Sequence, residues 1–263
     1  MNFNFKTIQL DKFNQHILIV TLNRPAVRNA INHDMIIDFQ ELWKQLSENH
    51  SELRCVILTG ADTAFCAGAD LKERRSLSLE KCKLQLGGLR NSIMAMQNCS
   101  LPVISAVNGA AYGGGLELVL ASDFAYAAKN ATFSQSEVKI GIIPGALGTQ
   151  NLPRACGLTR AKELVFTAQS FTAEQAYQWG IINKVCEPAR LLEEVIATAT
   201  LIAANAPIAI REAKRSMNIA LQVDLETGFG KEFEAYQRAL ETKDRDEGLR
   251  AFHEKRKPVF IGE

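Results

Sequence analysis

Two short stretches near the start of the chain, 4–10 and 16–22, alternate or run apolar and are rich in β-branched residues, a pattern that predicts strands. Asn23-Arg24-Pro25 breaks it. The period then changes: Ile31, Met35, Phe39, Leu42 and Leu46 recur at helical spacing and predict an amphipathic helix over Ile31–Leu46. An apolar run at Cys55–Thr59, ended by Gly60, predicts a buried strand. The theme returns as a strand at Val103–Val107, a glycine loop, a helix from Gly115 to about Ala121 and a short strand at Phe124–Ala127. Strand, loop and helix recurring in this way predict an α/β architecture of stacked β-β-α units. From about Thr159 onward the pattern is largely helical, apart from one strand at Ile181–Val185. Pro207 opens a helix running to Leu221, Asp224 caps the next, and Thr242 or Asp244 caps the last. No proline-, glycine- or serine-rich linker interrupts the chain, which predicts a single domain over 1–263. Within it, an α/β core spans about 1–200, and a helical region over about 201–263 covers a site or builds an oligomer.

Composition narrows the function classes. Thirty basic residues stand against 29 acidic ones, so the chain lacks the basic excess typical of nucleic-acid or membrane-surface binders. Six cysteines (Cys55, Cys66, Cys82, Cys99, Cys156, Cys186) show no C-x-x-C spacing, which predicts reduced thiols packed as small core hydrophobes. Cys66 adjoins the Ala67-Gly68-Ala69-Asp70 loop, within reach of a ligand held there, but no histidine neighbours it in sequence. The N-terminal MNFNFKTIQLDKF has neither an apolar signal core nor the arginines of a transit peptide, and no apolar run approaches the ~20 residues of a membrane span. A cytoplasmic location is expected.

The glycines after the Val103–Val107 strand open the question of chemistry. Gly109 and Gly113-Gly114-Gly115 permit close backbone approach at a helix start, where exposed N–H groups and the positive dipole end favour negative charge. A tight strand-to-helix turn needs the same glycines, so spacing alone does not choose. The run is neither a G-x-G-x-x-G fingerprint nor a P-loop. Glu117 follows among Leu116, Leu118, Val119 and Leu120, an apolar setting that raises a carboxyl's pKa and suits proton transfer; an ordinary helix-start glutamate is the plainer alternative. Glu137, in Ser134-Gln135-Ser136-Glu137-Val138, gains weight only from its company. Ala67-Gly68-Ala69-Asp70 is a second small-residue loop able to supply another donor. The four histidines (His16, His33, His50, His253) lack metal-ligand spacing and G-x-S-x-G is missing, which leaves carboxylates as the catalytic candidates with no metal or bound cofactor expected.

Four segments, FCAGADLKER (65–74), PVISAVNGAAYGGGLELVLASD (102–123), FSQSEVKIGIIPGALGTQNLPR (133–154) and TKDRDEGLRAFHEKRKP (242–258), in this order resemble the enoyl-CoA hydratase/isomerase (crotonase) superfamily. The resemblance runs from about Arg24 to the C-terminus and implies a spiral of β-β-α units followed by helices that form trimers, with trimers often paired as hexamers. It implies an acyl-CoA thioester substrate whose carbonyl is held by the N–H groups of Ala69 and Gly114, with Glu117 and Glu137 as the catalytic pair. It also implies coenzyme A contacts at Arg28, Ala67, Ala69 and Asp70, and at Phe252 and Lys255 reaching a neighbouring subunit. Within the family the chain is most similar to the methylglutaconyl-CoA hydratase branch of leucine degradation, whose substrate carries a distal carboxylate. Arg74, Arg75, Lys81 and Arg90 are the basic candidates to meet it. A short-chain enoyl-CoA hydratase of fatty-acid oxidation, or a double-bond isomerase, is the alternative on the same scaffold. A relative of that branch binds RNA through a lysine-lined first helix; here residues 29–50 carry only Lys44 against Asp34, Asp38, Glu41 and Glu48, so no nucleic acid is expected. The sequence departs from the family pattern at Gly145-Ala146-Leu147-Gly148, where Leu147 adds bulk near the expected glutamates, and at Asn151, which replaces a common arginine.

Overall fold

The computed structural model describes residues 5–48 and 52–263. Asn4, where the first predicted strand begins, and His50 lie outside these residues. The elements in chain order are β1 (Ile8–Lys12), β2 (Ile17–Leu22), α1 (His33–Glu48), β3 (Cys55–Gly60), β4 (Ala64–Cys66), α2 (Leu71–Arg75), α3 (Leu79–Gln97), β5 (Val103–Val107), β6 (Ala110–Tyr112) and α4 (Gly114–Ala121). Then come β7 (Phe124–Ala128), β8 (Thr132–Ser134), a 3-10 turn at Glu137–Ile140, α5 (Gly148–Cys156), α6 (Leu158–Thr167), β9 (Phe171–Thr172), α7 (Ala173–Gln178) and β10 (Lys184–Cys186). Four helices close the chain: α8 (Leu191–Ala203), α9 (Pro207–Ile219), α10 (Leu225–Leu240) and α11 (Lys243–His253).

The strands form two sheets. A six-stranded sheet runs β1-β2-β3-β5-β7-β10, parallel except for the β1/β2 hairpin, and a four-stranded one runs β4-β6-β8-β9. The chain visits them alternately: β3, β5 and β7 each lead directly into β4, β6 and β8. This is the spiral of β-β-α units that the resemblance implied. β1 starts later than the pattern predicts because Asp38 of α1 takes the amides of Lys6 and Thr7, at 3.0 and 2.8 Å, before the hairpin ladder begins. The last strand also shifts, to Lys184–Cys186, because Ile181 and Ile182 are buried in the turn after α7.

Both faces of the large sheet are covered, which is why its strands read as apolar runs. Val56, Leu58, Val103 and Val107 join the main core with Phe39 and Leu42 of α1, Ile93 of α3 and Leu116 of α4. Their neighbours Cys55, Ile57, Ile104 and Ala106 face the other way, against Leu191, Val195 and Ala199 of α8. All six cysteines are free thiols. The C-terminal helices are pinned to this core by Lys214 of α9, a buried lysine whose Nζ donates to Leu101 O and pairs with Asp123, both at 2.8 Å. Thr242, rather than Asp244, caps α11 by accepting from the Arg245 amide, while the Asp244 carboxylate accepts from the amides of Ile261 and Gly262. One face of α10 is left open: Leu225, Phe229, Phe233, Tyr236 and Leu240, spaced three and four apart, are all exposed. Among the described residues no single helix is long and apolar enough to cross a membrane.

Candidate active site

α4 starts immediately behind β6, and its apolar residues Leu116, Leu118 and Val119 are drawn into the core. Glu117, on the first turn between them, goes in with them and is only 2% exposed. Gly115 makes this approach possible: a Cβ there would sit 2.2 Å from the carbonyl oxygen of Cys66, so α4 and β4 meet backbone to backbone. Glu117 Oε1 accepts from the amides of Ala146 and Gly148, each at 2.8 Å, in the loop that precedes α5. Burial pushes the Glu117 carboxyl up to about 7; the charge of Glu137 adds to this, while the two amides and Arg74 pull against it.

Glu137 opens the 3-10 turn after β8. Its Oε1 accepts from Gln135 Nε2 at 2.9 Å, and its Oε2 is buried without a hydrogen-bond partner. Burial raises its pKa as well, against the opposing pull of Gln135 and of the Arg74 charge. Gly113, held at φ 52°, brings it beside α4: a Cβ on Gly113 would lie 3.0 Å from Glu137 Oε1. The two carboxyls that the sequence placed in separate segments therefore share one site.

The two donor loops also meet. Ile31 donates to Gly68 O and accepts from the Asp70 amide, each at 2.8 Å, so the Ala69 N–H between them points away from that pairing. Gly114 provides the first N–H of α4, one of the amides that a helix leaves without an internal partner. Among the described residues neither amide donates to a backbone carbonyl, and a Cβ built on Gly114 would lie 3.9 Å from Ala69 N.

The remaining candidates divide. Arg28, at φ 51° and exposed, accepts the Ala67 amide on its carbonyl at 2.9 Å, which sets it beside the Ala67–Asp70 loop. Asp70 is committed to that loop's structure: its side chain caps α2 at the Glu73 amide and pairs with Arg24 at 3.1 Å. Burial works against its charge, but the Glu73 amide and Arg24 outweigh it and hold its pKa low. Phe252, 86% exposed, and Lys255, at φ 57°, lie at the C-terminal end of α11 and face solvent in the single chain. Cys66 is fully buried, and burial pushes its thiol up to about 12. Leu147, also at positive φ (79°), packs its side chain on the edge of the main core, and Asn151 donates to Gln97. Arg75, Lys81 and Arg90 are exposed, whereas Arg74 is half-buried and its charge reaches both glutamates. Gln135, which no sequence pattern singles out, is fully buried. It lies just past the buried end of β8, and nothing in the run Ser134-Gln135-Ser136 set it apart from its polar neighbours. Arg74 Nε, Gln135 Oε1 and Glu137 Oε2 are the buried side-chain N and O atoms left without a partner among the described residues.

A buried and a half-buried carboxyl, both with raised pKa, set beside two convergent and unengaged amides, define a site able to move protons next to a polarised carbonyl. A model of the enoyl-CoA hydratase/isomerase family matches residues 12–263. The putative enoyl-CoA hydratase/isomerase YngF of Bacillus subtilis is 43% identical over 250 residues, covering 95% of this chain and 96% of that one. The short-chain-enoyl-CoA hydratase of Clostridium acetobutylicum is 40% identical, covering 92% of each. The crystal structure of an enoyl-CoA hydratase from Bacillus anthracis superposes with a TM-score of 0.96 at 42% identity, over 98% of this chain and 100% of that one. The chain belongs to the enoyl-CoA hydratase/isomerase family.

Proposed function

We propose that this member of the family is a hydratase, adding water across the α,β double bond of an enoyl-CoA thioester. The observation that carries the reading is the presence of two carboxyls, buried Glu117 and half-buried Glu137 with its Oε2 out of reach of solvent, at one pair of free amides. The N–H groups of Ala69 and Gly114 hold the thioester oxygen and stabilise the enolate-like charge that forms as water adds at the β-carbon. Glu117, whose Oε1 accepts two amides that favour its anion, takes a proton from the water. Glu137, whose Oε2 has no donor to stabilise a charge, carries the proton that goes to the α-carbon. Hydroxide equivalent and proton are thus delivered by separate groups, and the proton gained by Glu117 returns to Glu137 after the product leaves. An isomerase needs only one such carboxyl, so the pair favours hydration.

Arg28 and the Ala67, Ala69 and Asp70 loop receive the coenzyme A moiety, with Asp70 acting through the loop shape that Arg24 and the Glu73 amide impose. Phe252 and Lys255 reach the coenzyme A of a neighbouring subunit. The open face of α10, with Phe229 and Phe233 61% and 63% exposed, is the surface on which a homotrimer, alone or paired into a hexamer, is built. For the acyl group we favour 3-methylglutaconyl-CoA, and hence leucine degradation in the cytoplasm. The short-chain alternative is favoured by the likeness to the short-chain-enoyl-CoA hydratase of Clostridium acetobutylicum. Hydration rates on 3-methylglutaconyl-CoA, crotonyl-CoA and longer enoyl-CoAs, followed by loss of enoyl-thioester absorbance, separate these readings. A preference for crotonyl-CoA would make it a general short-chain hydratase, and no turnover on any of them would sink the hydratase reading.

A further inference from the structure

A buried guanidinium N–H with no protein acceptor is costly, and native structures keep one where a water, an ion or a functional role supplies the missing partner. Arg74 Nε is such a group. The neighbouring ion pair of Arg24 with Asp70 shows that charges in this loop do pair when geometry allows, yet Arg74 makes no ion pair with Glu117 or Glu137 among the described residues. Its place is set by the donor loop itself. α2 leaves directly from Ala69-Asp70, and the Arg74 amide donates to Asp70 O at 3.0 Å. One helical turn, about 5.4 Å of rise, therefore separates Arg74 from the backbone that holds the thioester oxygen, a span that a short acyl chain bridges.

We propose that Arg74 is the residue that selects the acyl group, taking an anionic oxygen at the far end of the chain, so that the site prefers enoyl thioesters ending in a carboxylate over neutral ones of equal length. The inference rests on the hydratase reading for its reaction, though not for its binding. A guanidinium suits the task because its planar fork meets both oxygens of a carboxylate. Glu117 and Glu137 stand on the near side of the same charge, which both of them feel. The ionised Glu117 disfavours an anionic acyl end beside it, and Arg74 is the cation placed to offset that. Arg75, Lys81 and Arg90, being exposed, have no comparable vacancy.

The test compares glutaconyl-CoA with trans-2-pentenoyl-CoA, equal in carbon number and differing in the terminal carboxylate. Wild-type protein is expected to favour glutaconyl-CoA in kcat/KM by tenfold or more, and Arg74→Met to lower that ratio by about 10- to 100-fold, the worth of a charge-assisted hydrogen bond. Arg74→Lys, which keeps the charge but not the fork, should fall between. Any influence of Arg74 on the two glutamates acts on both substrates and cancels in the ratio. A ratio unchanged in Arg74→Met, or a wild-type preference for the neutral substrate, overturns the proposal. Binding of the saturated pair, glutaryl-CoA and pentanoyl-CoA, to wild-type protein needs neither turnover nor a folded variant. Glutaryl-CoA binding at least tenfold tighter supports the role of Arg74 even if hydration fails, and equal or weaker binding refutes it.

Discussion

Replacing Glu117 by Gln should disable the protein and stabilise it, and the two effects share one cause. The carboxyl is pushed from an ordinary value of 4.5 up to about 7, chiefly by burial. The folded protein thus holds this proton more tightly than the unfolded chain does. Between pH 4.5 and 7 the folded state binds more protons, so stability declines as pH rises through that window. A displacement of this size corresponds to about 3 kcal/mol, absent near pH 4 and fully present as a penalty by pH 8. Glutamine keeps an oxygen for the Ala146 and Gly148 amides without the charge, and so escapes the penalty. A new amide donor at the other position adds an offset that does not vary with pH. Urea unfolding at pH 5, 6, 7 and 8, at fixed protein concentration, should show Glu117→Gln gaining on wild type by roughly 1.4 kcal/mol per pH unit across the window, then levelling. Hydration should fall by about 10²–10⁴, the worth of a general base. A stability difference flat in pH would show that Glu117 titrates as an ordinary surface carboxyl, and the argument for its role in proton transfer would go with it.

The kcat/KM of wild-type protein should fall as pH drops through about 7, because Glu117 must be ionised to accept a proton; a profile flat down to pH 5.5 refutes this. Gly148→Ala would place a Cβ 2.8 Å from Glu117 Oε1 and 2.9 Å from Pro144 Cβ, and displacing the carboxyl should cost roughly 10²-fold in kcat with the circular dichroism spectrum preserved. Lys214→Met leaves the Asp123 carboxylate without its cation and should cost about 3 kcal/mol in urea unfolding; Lys214→Met combined with Asp123→Asn should recover part of that, and no recovery would refute the pairing argument. Phe229→Glu with Phe233→Glu should turn an oligomer into a monomer by sedimentation velocity, and a wild-type monomer would refute the proposed role of that face.

The strands of the large sheet were legible because burial on both faces makes them apolar runs: Cys55–Gly60 and Val103–Val107 fall where the pattern puts them. The small sheet was not, since β4, β6 and β8 have three residues each, too few to display a period. α3 escaped notice for two reasons. Leu79, Leu84 and Met94 point outward and blur its apolar stripe, and Gly87-Gly88 reads as a break. Gly88 in fact lets α3 close on α1, where an added Cβ would stand 3.0 Å from Ile36 Cγ2. Glu117 announced itself as a carboxylate in an apolar run. The amides of Ala146 and Gly148 that hold it did not, because a backbone N–H is the same in every residue but proline. The proposed choice of Arg74 over its neighbour Arg75 required knowing which side of a five-residue helix is covered.

The alternation of the chain between two sheets restricts how such a protein can diversify. Ala69 comes three residues after the end of β4, and Gly114 two residues after the end of β6, with the two strands paired side by side. Successive peptide N–H groups in extended chain point in opposite directions, so one residue inserted in either link would turn a donor away from its partner. If these two amides polarise the thioester as proposed, lineages that keep them must keep these links at constant length. New specificities can arise from substitutions along α2 and α3, or from changes in length between Ser76 and Ser100, where no donor depends on the count.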